Sequence, residues 1–413
     1  MNSQPQLSSS MSVLGDPAII PNPYPTYAAL RGSCAVHWIP ELDAWGAFSY
    51  DTCMRTLRDP RFLAERMDAV QQSKFPREAL DDDHIYRRFT KNTMMYSDGA
   101  VHSALRNSTQ AAFNSGCHAY YAEVINRVAE QLVAEIPSDA HELDAVSDLT
   151  SHMPVRAAVQ PFGVPEEDLG FVLPRVDTVM TFFSGPKDQP VTFEGVTTAL
   201  TELHTYALEL VQGRRGRVVP GTVIARLAAS ASDDASTTLQ QTIHQLVLLL
   251  IALFAPTTPG SLSSGLLAFL QNRDQIAEHQ AREETRSNTA DEVFRYNASN
   301  QFTWRLAGED VELDGRNILK GQLIVAFLGA ANRDPVKFSD PDRFLVSRRN
   351  SGEHLSLGFG VHACLGRRIA MYEINCFFAA LFRRFPNIRL AGEPVWNSNL
   401  EFRSLRSLPI RLS

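Results

Sequence analysis

Apolar residues recur at intervals of three and four through most of this chain and alternate only in short stretches, which predicts a mainly α protein with small β-sheets. Prolines at 21, 23 and 25 lead into "TYAALRG", a short helix expected to end at Gly32. "AVHWIPELDAWGAFS" has the β-branched and aromatic content of a short hairpin, and "YDTCMRTLRDPRF" returns to helical spacing. Residues 64–97 read as an irregular, charged loop. Helical spacing resumes at His102 and runs to about Ile136, broken by "NSG" at 114–116, and Pro165 with its following acids marks another helix start. A polar linker at 229–237 precedes a long apolar helix, and helices continue to about residue 297. Short strands are expected in "VELDGRNILKGQLIVAFLGAANRDP". An apolar stripe at 369, 374, 377, 378, 381, 382 and 385 closes the pattern as a helix ending before Pro386.

The apolar run "LVLLLIALFA" at 246–255 is about half of the roughly 20 residues that cross a bilayer, so it reads as a buried helix and no membrane association is expected. The polar opening, residues 1–15, lacks the basic start and apolar stretch of a signal sequence and reads as a disordered tail. A net charge of −7 supplies no global basic field, which argues against a nucleic-acid partner. The 5 cysteines are an odd number, scattered, and show no C-x-x-C spacing, so neither a disulfide framework nor a zinc site is expected. A reducing cytoplasm is the simplest location, and Cys34, Cys53, Cys117 and Cys376 read as core filler.

Cys364 is different. It stands in "LSLGFGVHACLGRRIA", residues 355–370, where a structural thiol, a nucleophile and a metal ligand are all open readings. A thiolate needs positive potential to persist near neutrality. Gly358, Gly360 and Gly366 allow a tight turn whose amide N–H groups can face the sulfur, and the helix that follows presents its N-terminus there. That geometry suits a permanent thiolate ligand. "GFGVHA" also fits the dinucleotide fingerprint G-x-G-x-x-A, but arginines 383 and 384 stand where an acid should follow, so that reading is set aside.

The loop resembles the heme-binding segment F-G-x-G-x-H-x-C-x-G of the cytochromes P450, matching at Gly358, Gly360, His362, Cys364 and Gly366, with Leu357 where the family usually carries Phe. "DEVFRY" at 291–296 resembles the family's E-x-x-R helix, and "DPDRF" resembles the segment that supplies a third member of its buried salt-bridge cluster. "GAANRDP" and "FGVPEEDL" resemble soluble bacterial members, and the likeness extends over nearly the whole chain. The resemblance implies the cytochrome P450 fold, a triangular helical prism, with residues 16–413 as a single heme domain. It implies heme b as cofactor, Cys364 as iron ligand, and Glu292, Arg295 and Arg343 as the structural cluster. It further implies contacts to the heme propionates from His102, Arg106, Arg305 and His362.

One departure bears on function. Members that hydroxylate commonly carry A-G-x-[DE]-T-T in the central helix, where this chain has "LFAPTTPG" at 253–260. In one alignment Phe254 replaces the Gly, Pro256 the acid, and Thr257 keeps the alcohol; shifted by one, Ala255 replaces the acid and Pro256 the Thr. The carboxylate is gone in both. Pro256 and Pro259 lack an N–H, so the helix should kink or open. Proton delivery then falls to Thr257 or Thr258, water or the substrate. Two enzymatic outcomes follow: ordinary hydroxylation or epoxidation of a polyketide, terpene or peptide, or oxidative C–C or C–N coupling of an aromatic secondary metabolite such as an indole-bearing cyclic dipeptide. A heme sensor or carrier without turnover is the alternative of another class.

Substrate contact is expected from the 64–97 loop, from Phe254 and Ala255, from residues 300–303 including Phe302, and from "LEFRSLRSL" with Phe402 as an aromatic wall. No flavin or iron–sulfur segment is evident, so a separate ferredoxin and ferredoxin reductase system is expected to supply electrons to a monomer. Arginines 367, 368, 383 and 384 are placed to steer an acidic partner.

Overall fold

Several helix starts in this chain are set by short polar side chains. Ser49 and Thr52 form a reciprocal capping box that opens the Tyr50–Arg58 helix, and Thr238 with Gln241 does the same for Leu239–Phe254. Thr192 accepts from the Gly195 N–H to start Phe193–Val211. The computed structural model describes residues 14, 16–67, 69, 81–114, 117–184, 191–215, 219–233 and 238–412. The expected N-terminal tail lies outside these residues except for Leu14.

Helices dominate. Tyr24–Ser33, which runs one residue past Gly32, is followed by the hairpin Val36–Ile39 and Ala44–Ala47, as the sequence predicts. The hairpin belongs to a five-stranded sheet completed by Leu323–Ala326, Thr303–Ala307 and Phe62–Leu63, in that order. Its parallel pairing joins Ala44–Ala47 to Leu323–Ala326, bringing two distant segments of the chain into one layer. Asp314 and Gly315, both at positive φ (51° and 71°), turn the small hairpin of Val311–Leu313 and Arg316–Ile318.

The main core is helix against helix. Phe378 and Phe382 of the Arg367–Arg384 helix lie 5.0 and 4.8 Å, centroid to centroid, from Phe269 of the Thr257–Gln271 helix. Gly265 on that helix allows close approach to Glu283–Tyr296, since a Cβ there would stand 2.8 Å from Val293. The cysteine loop and the E-x-x-R helix are thereby held on one scaffold.

Two local expectations change. The 64–97 segment is not loop throughout: Ile85–Lys91 is a helix, capped by His84 and anchored by buried Tyr86 and Phe89, while residues 68 and 70–80 lie outside the described residues. The linker expected at 229–237 begins as the end of a helix, Val223–Asp233, and residues 234–237 lie outside the description. The apolar central element opens beside Pro256, as the sequence predicts, into two helices, Leu239–Phe254 and Thr257–Gln271. By length and composition the Leu239–Gln271 span is apolar enough to cross a membrane, but most of it is buried inside the protein, as core helices are.

Candidate active site

The loop before Cys364 closes through backbone bonds: Cys364 N–H donates to Leu357 O (2.8 Å), Gly358 N–H to Leu355 O (2.9 Å), and Ala363 N–H to Gly360 O (3.1 Å). Gly358 and Gly360 sit at φ of 70° and 71°, where a side chain would be strained. These two glycines shape the turn, and Gly366 supplies the amide, whose N–H reaches the Cys364 sulfur. Gly366 also caps the Arg367–Arg384 helix, so the sulfur faces a helix N-terminus. Burial pushes the Cys364 thiol up, while the Gly366 N–H, Arg106 and Arg367 pull it down. Coordination to a cation reverses that balance in favour of the thiolate. The sulfur is deep in the fold yet solvent-accessible, as a group on a cavity wall is. Among the described residues no group of three or more His, Cys, Asp and Glu is placed to hold a metal ion, so the sulfur would be the protein's single ligand.

On the same side of the fold, His102, Arg106 and Arg305 gather with Asp98 nearby, and none of the three hydrogen-bonds that carboxylate. His102 is buried and its Nε2 has no hydrogen-bond partner. Burial, then the charges of His362 and Arg106, drives its pKa down to about 4, so it is neutral and can donate from one nitrogen. Arg106 is lowered by burial, partly offset by Cys364, which places that guanidinium within electrostatic reach of the sulfur. Arg305, 5% exposed, donates only to Trp304 O (2.8 Å), and burial followed by Arg66 lowers it to about 10. Buried donors in this state cost several kcal/mol unless an acceptor meets them. A planar dianion ligated at the sulfur and carrying carboxylates at one edge satisfies both ends of the site, which is the donor set heme requires.

His362 also makes contacts within the protein. Its ring packs 4.1 Å from His102, centroid to centroid, and its Nε2 lies 3.1 Å from Asp98 Oδ1. Asp98 also accepts from Glu65 N–H (2.8 Å). Burial alone would raise the Asp98 carboxyl, but the bonds from His362 and from the backbone bring it below the usual carboxylate range.

The salt-bridge cluster holds one correction. Arg295 clasps Glu292 with two bonds, Nε to Oε2 (2.7 Å) and Nη2 to Oε1 (2.8 Å), both residues being 0% exposed. Arg343 is exposed and contributes only its carbonyl, which accepts from Arg295 Nη2 (2.9 Å) and Arg348 Nη2 (3.0 Å). The third charged member is Arg348, whose Nε lies 3.3 Å from Glu292 Oε2. The family resemblance pointed to Arg343 because "DPDRF" is a recognisable string, whereas Arg348 follows it with no local signal of its own.

The central helix opens at Ala255, which is extended (ψ 151°), and restarts with Pro256 as its cap. Pro259 falls in the first turn of the new helix, where its missing N–H costs nothing. Thr257 and Thr258 occupy the same turn, half-buried, and their hydroxyls make no hydrogen bond among the described residues. The last turn of the preceding helix is accessible at Ala252 and partly so at Phe254, whereas Ala255 is buried. Phe402 is half-buried and bridged to Asn300. Phe302 is not a pocket wall: it is 7% exposed and packs 5.2 Å from Phe327 in the core under the sheet, because the strand that begins at Thr303 turns it inward.

Of the four arginines expected to steer a partner, Arg383 pairs with Glu130, Arg384 donates to Val133 and Ile136 carbonyls, and Arg367 lies 3.2 Å from Asp291. Arg368 is exposed and has no such partner among the described residues. Of the expected filler cysteines, Cys53 is fully buried, Cys34 and Cys376 are partly so, and the side chain of Cys117 lies outside the description.

Comparison with known proteins agrees with this geometry. Residues 270–407 match the family model for cytochrome P450. The chain is 29% identical over 374 residues to the polyketide biosynthesis cytochrome P450 PksS of Bacillus subtilis (strain 168), covering 90% of this chain and 89% of that protein. It is also 29% identical over 398 residues to the cytochrome P450 monooxygenase PikC of Streptomyces venezuelae, covering 94% and 91%. The solved structure of PksS superposes with a TM-score of 0.83 at 27% identity, covering 96% of this chain and 99% of that one. That of CxnD, described as the cytochrome P450 enzyme for C–S bond formation in chuangxinmycin biosynthesis, does so at 0.80 and 25%, covering 95% and 94%. With a glycine-shaped cysteine loop, a buried Glu–Arg clasp behind it and these likenesses over almost its full length, the chain belongs to the cytochrome P450 family and is a heme b enzyme.

Proposed function

We propose that this enzyme oxidises a small aromatic secondary metabolite and joins two of its atoms, by C–C or C–N bond formation, without inserting oxygen. The observation that carries the reading is the helix break at Ala255–Pro256–Thr257, which leaves two unpartnered hydroxyls and no carboxylate in the segment where hydroxylating members carry an acid.

Bound through Cys364, heme b supplies reductive activation of dioxygen. The protein's own residues supply the rest. Gly366 N–H and the helix N-terminus hold negative charge on the sulfur. His102, Arg106 and Arg305 meet the two propionates, which pairs donors that otherwise stand buried and unmatched. His362 acts one layer back, through Asp98. Thr257 and Thr258 orient water and pass protons from it, with no acid behind them, so net proton delivery is slow and a substrate N–H or O–H that surrenders hydrogen is the better-matched partner. Phe254 and Phe402 supply aromatic surface at the cavity. Electrons come from a separate ferredoxin-type donor, for which Arg368 is an exposed cation on the helix after the cysteine, unpaired among the described residues.

A secondary-metabolic role is supported by PksS and CxnD, whose descriptions name biosynthetic pathways, and the coupling outcome by CxnD, described as forming a C–S bond. Ordinary monooxygenation is the second reading, favoured by the higher identity to PikC, a monooxygenase. Product mass separates them. Incubation of the reconstituted enzyme with indole-bearing cyclic dipeptides should give products that have lost hydrogens or dimerised; products heavier by one oxygen would establish the second reading instead.

A further inference from the structure

Glu401 lies in the C-terminal segment beside the bridge of Asn300 and Phe402, its carbonyl accepting from Gln301 N–H (2.8 Å). Its carboxyl is deep in the fold yet keeps access to solvent, as Cys364 does. The Trp304 indole lies beside it, and Arg66 is within electrostatic reach. The Arg66 guanidinium stands 5.0 Å over the Tyr96 ring, and its one hydrogen bond runs from Nη1 to Ala64 O (2.9 Å). Among the described residues Arg66 and Glu401 attract each other without closing into an ion pair, and neither has another partner of opposite charge in contact. Four separate segments of the chain therefore bring one acceptor, one donor and two aromatic faces to the same place.

That combination is selective. A carboxylate ligand would be repelled by Glu401 and an ammonium ligand by Arg66, whereas a neutral group carrying a donor and an acceptor side by side satisfies both at once. Resting on the reading of a small aromatic substrate, we propose that Arg66 and Glu401, walled by Tyr96 and Trp304, form a recognition subsite for a secondary amide or lactam of the substrate. Glu401 accepts the amide N–H, Arg66 donates to the adjacent C=O, and the rings cover the planar group on its faces. Burial, opposed by Arg66 and the Trp304 indole, raises the carboxyl to about 7, so its ionised form is accessible at neutral pH.

Equilibrium dialysis of the heme-loaded enzyme tests this without turnover. The probes are the cyclic dipeptide of tryptophan and alanine and its analogue with both amide nitrogens methylated. The wild type is expected to bind the parent about tenfold more tightly or better, because a buried acceptor left unpaired costs at least that factor. Glu401→Ala and Arg66→Ala are each expected to abolish the preference, with Glu401→Gln retaining part of it and serving in place of the Ala variant should that fail to incorporate heme. Equal affinity for the two probes, no binding of either, or a preference that survives in both Ala variants overturns the proposal. An enzyme that shows the amide preference but adds oxygen to its product refutes the coupling reading and leaves this subsite standing.

Discussion

Arg348 Nε lies 3.3 Å from Glu292 Oε2, with both side chains all but excluded from solvent, while Arg343 five positions earlier points outward. Arg348 also donates to the carbonyls of Asp340 (3.1 Å) and Arg343 (3.0 Å), so one guanidinium ties the loop before the cysteine segment to the E-x-x-R helix. Arg348→Ala should therefore destabilise the holoenzyme by about 3 kcal/mol, the usual cost of leaving a buried ion without its partner. Arg343→Ala should stay within about 0.5 kcal/mol, because its carbonyl is kept. Denaturant melts of both variants check the pair, and equal losses would restore Arg343 to the cluster.

Cys364→Ser should remove the long-wavelength Soret band that thiolate ligation gives the reduced carbonyl complex, and abolish turnover. The hydroxyl has neither the charge nor the softness of the sulfur for iron. A carbonyl spectrum of wild-type character in the serine variant would show that another residue holds the metal.

Thr257→Val keeps the shape of the side chain and removes the hydroxyl at the helix break. In the coupling reading it should cost about tenfold or less in product formed per electron consumed, well under the 10²–10⁴-fold typical of an essential proton-transfer group. Measuring NADH consumed, product formed and hydrogen peroxide released decides it. A loss of about a thousandfold would make Thr257 an obligatory proton donor and favour oxygen insertion.

His244 and His279 are each 1% exposed, and burial, followed by positive neighbours, lowers them to about 3 and about 4. A histidine depressed in the folded state stabilises the protein fully above its ordinary value of about 6.5, and that contribution is lost as pH falls toward the folded value. Stability should then drop between pH 6.5 and 4 by about 1.4 kcal/mol per pH unit for each such group. His244→Leu should remove one group's share of that slope, both of whose ring nitrogens lack partners. Denaturant midpoints at pH 7, 6 and 5 measure it, and parallel profiles for variant and wild type would refute the assignment.

What the chain's own order determined was everything that depends on near neighbours. Helical periodicity, the capping pairs, the Asp314–Gly315 turn and the glycines of the cysteine loop are local constraints on backbone angles, and they are legible because the residues that enforce them are adjacent. The Glu292–Arg295 clasp is legible for the same reason, being one helical turn apart. Only the tertiary structure decided which arginine completes that cluster, that His362 answers to Asp98, that Phe302 turns into the core, and that Arg66 comes within reach of Glu401. In each case the deciding contact lies between distant segments or depends on which way one side chain faces, and packing of the whole chain sets both.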